Sequence, residues 1–190
     1  MVQVGDVVPD IEVSALVDNE TKKVKLSDYH GKWVVLIFYP EDFSYICPTE
    51  LKEASARYSE FQKLWAEVLS VSTNTVYSHQ SWRAQDPEIG KIPYPMLADP
   101  EGKFCKAFNS YISKEGVSLR STFIVDPDGV IQALEVNSNS IGRNIDETLR
   151  KLKAAIYVRD HPGALCPASW EPGMRTLKAD KGAANKPKMS

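Results

Sequence analysis

Cysteine is scarce in this chain and never closely paired. Cys47, Cys105 and Cys166 are the three among 190 residues, an odd number at wide spacing that does not make a secreted disulfide framework. There is no Cys-x-x-Cys pair, which argues against a dithiol-exchange enzyme. His30, His79 and His161 are scattered without metal-ligand spacing to the cysteines, so neither a metal nor another cofactor is expected. An excess of one charge is missing as well. The 23 Lys and Arg stand against 25 Asp and Glu, without the basic surplus that gripping nucleic acid requires. The longest apolar run, residues 33–39, is far too short to span a bilayer. The opening residues have no basic lead-in, and Asp6 and Pro9 interrupt them, so no signal peptide is read and a cytoplasmic location is expected.

What is present suits an ordinary globular domain, with 43% hydrophobic and 25% charged residues, no internal repeat and no linker. Residues 32–39 are rich in branched and aromatic side chains and end at Pro40, the pattern of a central strand. Leu51, Ala54, Tyr58, Phe61 and Trp65 then fall at spacings of three and four, which predicts one helix with a single apolar stripe. Residues 68–71 read as a second strand, 79–86 as a helix ended by Pro87, and 94–98 as a strand end before a turn. A short helix is expected around Phe104, Ala107 and Phe108. Residues 121–125 and 130–136 flank Asp126-Pro127-Asp128-Gly129, strong chemistry for a hairpin turn. Ile145, Leu149, Leu152 and Ile156 mark a closing helix. The order predicts a mixed sheet with helices on its faces. Beyond Ala168 the composition shifts toward Lys, Gly, Ala and Pro, so the last dozen or so residues are expected to be a mobile tail.

Cys47 falls where the first strand hands over to a helix, and Pro48 suits the first helical turn. Helix starts and nearby cations are two ways in which proteins activate a thiol. A plain buried cysteine fits the same position equally well, because cysteine is among the most buried residue types. The stretch Pro40-Glu41-Asp42-Phe43-Ser44-Tyr45-Ile46-Cys47-Pro48-Thr49-Glu50 separates them. It resembles the active-site signature of the peroxiredoxins, P-x-x-x-[TS]-x-x-C. Four more stretches agree with that family in the same order: Phe38-Tyr39-Pro40, Arg120 followed by Ser121-Thr122-Phe123-Ile124-Val125-Asp126, Gly142-Arg143 leading into Asp146-Glu147-Thr148-Leu149-Arg150, and Cys166-Pro167-Ala168-Ser169-Trp170. Together they run to about Gly173, and the resemblance is nearest to two-cysteine members of the bacterial alkyl hydroperoxide reductase C type.

That resemblance implies an α/β, thioredoxin-like fold: a central mixed sheet flanked by helices over residues 1–160, with a C-terminal arm at 161–190. It implies a thiol peroxidase acting on hydrogen peroxide and organic hydroperoxides. Cys47 is then the attacking thiol, oxidised to a sulfenic acid, and Cys166 of the partner subunit resolves it to an intersubunit disulfide. Ser44, where the family more often has Thr, would hydrogen-bond the peroxide and steady the thiolate; Arg120 would stabilise the thiolate and the departing oxygen; Pro40 would shield the site. Glu50 and Arg143 would orient Arg120, although each charge taken singly reads as a solvated surface group. An external disulfide reductase, a flavoprotein or a thioredoxin-like donor, is implied, as are a homodimer and a ring of five dimers, with a chaperone-like holdase as the alternative activity. The chain lacks the Gly-Gly-Leu-Gly insertion and terminal Tyr-Phe helix of overoxidation-prone members, so it is expected to tolerate high peroxide. Cys105 matches no motif and reads as a core or semi-buried residue. His79 and Trp82 lie in a Ser-His-x-x-Trp stretch of the family and are expected to pack near the site.

Overall fold

The run expected as a central strand lies in the interior of a seven-stranded sheet. A computed structural model describes residues 2–178, and the chain divides after Ile145 into two compact units. The first unit runs β1 (Val13–Val17), β2 (Glu20–Val24), a 3-10 turn (Leu26–Tyr29), β3 (Trp33–Phe38), α1 (Cys47–Ala56), α2 (Tyr58–Lys63), β4 (Ala66–Ser72) and α3 (Val76–Gln85). It continues through α4 (Pro87–Gly90), β5 (Met96–Ala98), α5 (Lys103–Ala107), β6 (Tyr111–Ile112), β7 (Val117–Ser118), β8 (Arg120–Val125) and β9 (Ile131–Asn137). The sheet order is β2-β1-β5-β4-β3-β8-β9. β4 pairs in parallel with β3 and β5, and the remaining pairs are antiparallel, so the sheet is mixed as expected.

Position in the sheet explains the sequence patterns. β3 and β8 are buried at every position, and β3 reads as a continuous apolar run, whereas the edge strand β9 alternates. The register sets Leu36 between Leu69 of β4 and Phe123 of β8. Phe38, Phe104, Phe108 and Phe123 form a ring cluster with centroids 4.8–5.9 Å apart. Burying each such side chain contributes roughly 1.5–3 kcal/mol. The β8–β9 turn is built as its sequence predicts: the Asp126 carboxylate accepts from the N–H groups of Asp128 and Val130, both at 2.9 Å, and Gly129 takes φ +81°.

Three expectations need correction. The stripe from Leu51 to Trp65 is two helices, broken at Arg57, and Trp65 lies beyond the second, 66% exposed. Trp65 leaves the helix because of the parallel register: Trp33 pairs with Ala66 and donates its N–H to the Trp65 carbonyl, so the chain must turn sharply there, at φ +55°. The helix expected at 79–86 begins earlier, because Thr75 caps it by accepting from the Ser78 N–H. Pro87 ends that helix and also opens α4, whose first amides are capped by Asp86. Two hairpins, β1–β2 and β6–β7, were not expected at all.

The second unit contains nearly all of α6 (Ile145–Asp160), then β10 (Ala164–Leu165) paired with β11 (Leu177–Lys178). The closing helix is grouped with the C-terminal segment. Within this unit Arg150 donates to the Trp170 carbonyl at 3.1 Å, and the Tyr157 ring lies between His161 and Trp170 at centroid distances of 4.0 and 4.8 Å. The expected mobile tail lies mostly in residues 179–190, outside the described residues. Among the described residues no helix is long and apolar enough to cross a membrane.

Candidate active site

Two neighbouring strands aim the site. β3 leaves the sheet at Phe38, and the chain returns through residues 39–46 to begin α1 at Cys47. Pro48 follows, where a missing N–H costs nothing, and no side chain caps this helix start. The partial positive charge of the helix end is thus available to the Cys47 sulfur. β8 runs antiparallel to β3 with Thr122 opposite Ile37, so its first residue, Arg120, extends past the end of β3 toward that helix start.

Arg120 Nη1 donates to Cys47 Sγ at 3.3 Å and to Glu50 Oε2 at 2.7 Å. Its Nε donates to the Asn139 carbonyl at 3.0 Å, which fixes the guanidinium from a second side. Glu50 faces Arg143 with its other oxygen: both the backbone N–H and Nε of Arg143 lie 3.0 Å from Oε1. Arg143 is anchored further by the Ser121 carbonyl, the Thr122 hydroxyl and the Phe38 carbonyl. Glu50, Arg120 and Arg143 are 2%, 4% and 7% exposed. Two guanidinium cations around one carboxylate leave a single positive charge beside the sulfur, which a thiolate balances. In a buried site that balance matters, since an unpaired charge there is costly.

A cleft of about 500 Å³ opens beside this cluster, lined by Pro40, Ser44, Ile46, Glu115, Arg120 and Asn139 among others. Ser44 is on the lining, and its hydroxyl donates to the Glu41 carbonyl at 3.0 Å rather than to the sulfur. Cys47 is fully buried. Phe43, between Pro40 and Ser44, holds φ +58°, a left-handed conformation that costs a bulky residue about 1–2 kcal/mol. Sequence reasoning missed Asn139 because its contribution to Arg120 is a backbone carbonyl, which any residue supplies.

Six of the seven residues singled out from the sequence, Pro40, Ser44, Cys47, Glu50, Arg120 and Arg143, belong to the first unit, the first four on the loop and helix after β3. Cys166 belongs to the second, half-buried, with its thiol 3.9 Å from the Ala154 carbonyl. Burial raises the Cys166 thiol above its ordinary value, and Arg150 pulls the other way. Cys105 is fully buried in the aromatic core, and burial followed by the Asp99 carboxylate pushes its thiol far up. Among the described residues no group of three or more His, Cys, Asp or Glu could hold a metal ion.

Residues 4–134 match the model of the AhpC/TSA family. The chain is 45% identical over 181 residues to a chloroplastic 2-Cys peroxiredoxin BAS1 from Arabidopsis thaliana, covering 93% of this chain and 68% of that one. It is 44% identical over 170 residues to an alkyl hydroperoxide reductase C from Pseudomonas aeruginosa, covering 90% and 91%. Among solved structures, an AhpC from Enterococcus faecalis superposes with a TM-score of 0.85 at 41% identity, covering 88% of this chain and all of that one. Likeness of this extent, in sequence and in fold, assigns the chain to the AhpC/TSA family: it is a peroxiredoxin enzyme.

Proposed function

We propose that this peroxiredoxin reduces hydrogen peroxide and organic hydroperoxides to water and alcohols through Cys47. The observation that carries the reading is Arg120 Nη1 at 3.3 Å from Cys47 Sγ, with Glu50 and Arg143 fixing that cation from behind. A buried, preorganised guanidinium stabilises negative charge on sulfur before the reaction and on the departing oxygen during it.

The Cys47 thiolate attacks the terminal peroxide oxygen, forming an S–O bond as the O–O bond breaks. The remaining oxygen leaves as alkoxide or hydroxide, takes a proton, and departs as alcohol or water. Cys47 is left as a sulfenic acid. Ser44 and Arg120, both on the cleft lining, hydrogen-bond the peroxide, and Pro40 limits water. Cys166 of a partner subunit then attacks the sulfenic sulfur as a thiolate. Water leaves, and an intersubunit disulfide forms. A dithiol donor, either a flavoprotein reductase or a thioredoxin-like protein, returns both cysteines to thiols. In this reading residues 161–190 work as an arm that delivers Cys166, the working unit is a homodimer able to join a ring of five dimers, and the enzyme operates in the reducing cytoplasm.

Cys47→Ser should abolish peroxide consumption. Cys166→Ser should permit oxidation of Cys47 and remove the disulfide-linked dimer from a non-reducing gel. Retained turnover in Cys47→Ser would overturn the reading.

A further inference from the structure

The loop that carries Pro40 and Ser44 to the helix start contains a residue, Phe43, in a conformation that it adopts only under constraint. Beside it, Asp42 supplies such a constraint. Its side chain is fully buried together with that of His79. Oδ1 accepts from the Tyr39 hydroxyl at 2.9 Å, while Oδ2 accepts from the Ser78 hydroxyl at 2.7 Å and faces His79 Nδ1 at 2.8 Å. The backbone N–H of Asp42 donates to Asn74 Oδ1 at 2.9 Å.

These partners come from separate places: Tyr39 follows β3, Asn74 follows β4, and Ser78 and His79 belong to α3. His79 is itself fixed, its Nε2 lying 3.3 Å from the Leu97 carbonyl. Burial and then the Asp42 charge push the Tyr39 phenol well above its ordinary value, so it remains a donor. Trp82, also on α3, meets the rings of Tyr39 and Phe43 at 6.2 and 5.9 Å. One carboxylate therefore ties the loop to the sheet and to α3, immediately before Phe43. A buried carboxylate with every oxygen engaged rigidifies its surroundings and specifies one arrangement of them.

We infer that Asp42, held by Tyr39, Ser78 and His79, is a positioning residue for the reaction of peroxide at Cys47. It acts through the loop by keeping Phe43 left-handed, which sets Pro40 and Ser44 against Arg120 on the cleft wall. This rests on the peroxidase reading above. Misplacing reacting groups by about 1 Å costs up to about a hundredfold in rate. Reaction of Cys47 with a reagent that needs no such geometry is spared.

The test compares two rate constants at Cys47, one for hydrogen peroxide and one for alkylation by iodoacetamide, followed on the Cys47 peptide by mass spectrometry. Asp42→Asn should lower the peroxide constant by about ten- to a hundredfold, with alkylation unchanged or faster. Ser78→Ala, a mild change at a half-buried hydroxyl, should shift the ratio the same way by about threefold. If both constants fall together, or neither moves, the inference is wrong and Asp42 only supports the fold. Should Asp42→Asn not fold, the Ser78→Ala ratio decides alone, and an unchanged ratio overturns the inference. A wild-type enzyme without fast peroxide reaction at Cys47 would sink the peroxidase reading and this inference with it. A fast wild type with unaltered ratios sinks the inference only.

Discussion

Cys47 and Cys105 are both fully buried, and both lie in the first turn of a helix in the same unit. Their surroundings differ in the sign of the nearest charge. Cys47 has the Arg120 guanidinium at 3.3 Å. Cys105 has its own N–H held 2.7 Å from Asp99 Oδ2, and that carboxylate adds to burial in keeping the thiol protonated. Exclusion of water is common to both, so burial does not separate a reactive cysteine from an inert one. In the proposed reading the placement of Arg120 and Asp99 does.

The largest expected effect comes from the carboxylate behind the Cys47 cation. Glu50→Gln leaves Arg120 and Arg143 buried without their shared anion, and urea denaturation should show a loss of about 3–5 kcal/mol. Removing the cation itself, with Arg120→Gln, should lower the second-order constant for peroxide by about 10²–10³, the usual loss of one preorganised donor. Stopped-flow oxidation measures it; a change under threefold would make the two cysteines more alike than the geometry implies.

A third prediction concerns Cys105. In the folded protein it stays protonated where an unfolded thiol, with a value of about 8.5, ionises. Above that pH the unfolded state binds fewer protons than the folded one, so stability falls as pH rises. Relative to Cys105→Ala, the wild type should lose up to about 1.4 kcal/mol per pH unit between about pH 8.5 and 10, read from paired melts. Peroxide turnover should be the same in both proteins. The smallest effect is expected at Cys166, whose raised thiol should let the rate of disulfide formation keep climbing past about pH 8.5 instead of levelling there.

The sequence was most legible where one local pattern carried the structure. The apolar run before Pro40, the Asp126–Gly129 turn chemistry and the helical spacing from Ile145 each specified an element without outside help. The β1–β2 hairpin was missed although Asp18 and Asn19, at φ +50° and +63°, are natural residues for its turn. Its outer strand is Glu-Thr-Lys-Lys-Val, exposed at four of five positions, so no apolar alternation marks it. The break at Arg57 carries no Gly or Pro signal in the sequence. At the site, the motif marks Ser44 and Cys47 and a separate stretch marks Arg120, yet the Asp42–His79 contact joins residues 37 apart: His79 is expected only to pack near the site, and Asp42 is given no role. The carbonyl of Asn139 left no trace in sequence at all.

One labelling experiment tests the contrast between the two buried cysteines most directly. Native reduced protein is treated with one equivalent of hydrogen peroxide in the presence of a sulfenic-acid trap, then digested and mapped by mass spectrometry. The trap should be found on Cys47 and be absent from Cys105. Equal labelling of the two, or label on Cys105 alone, would contradict the claim that the Arg120 cation selects the reactive thiol.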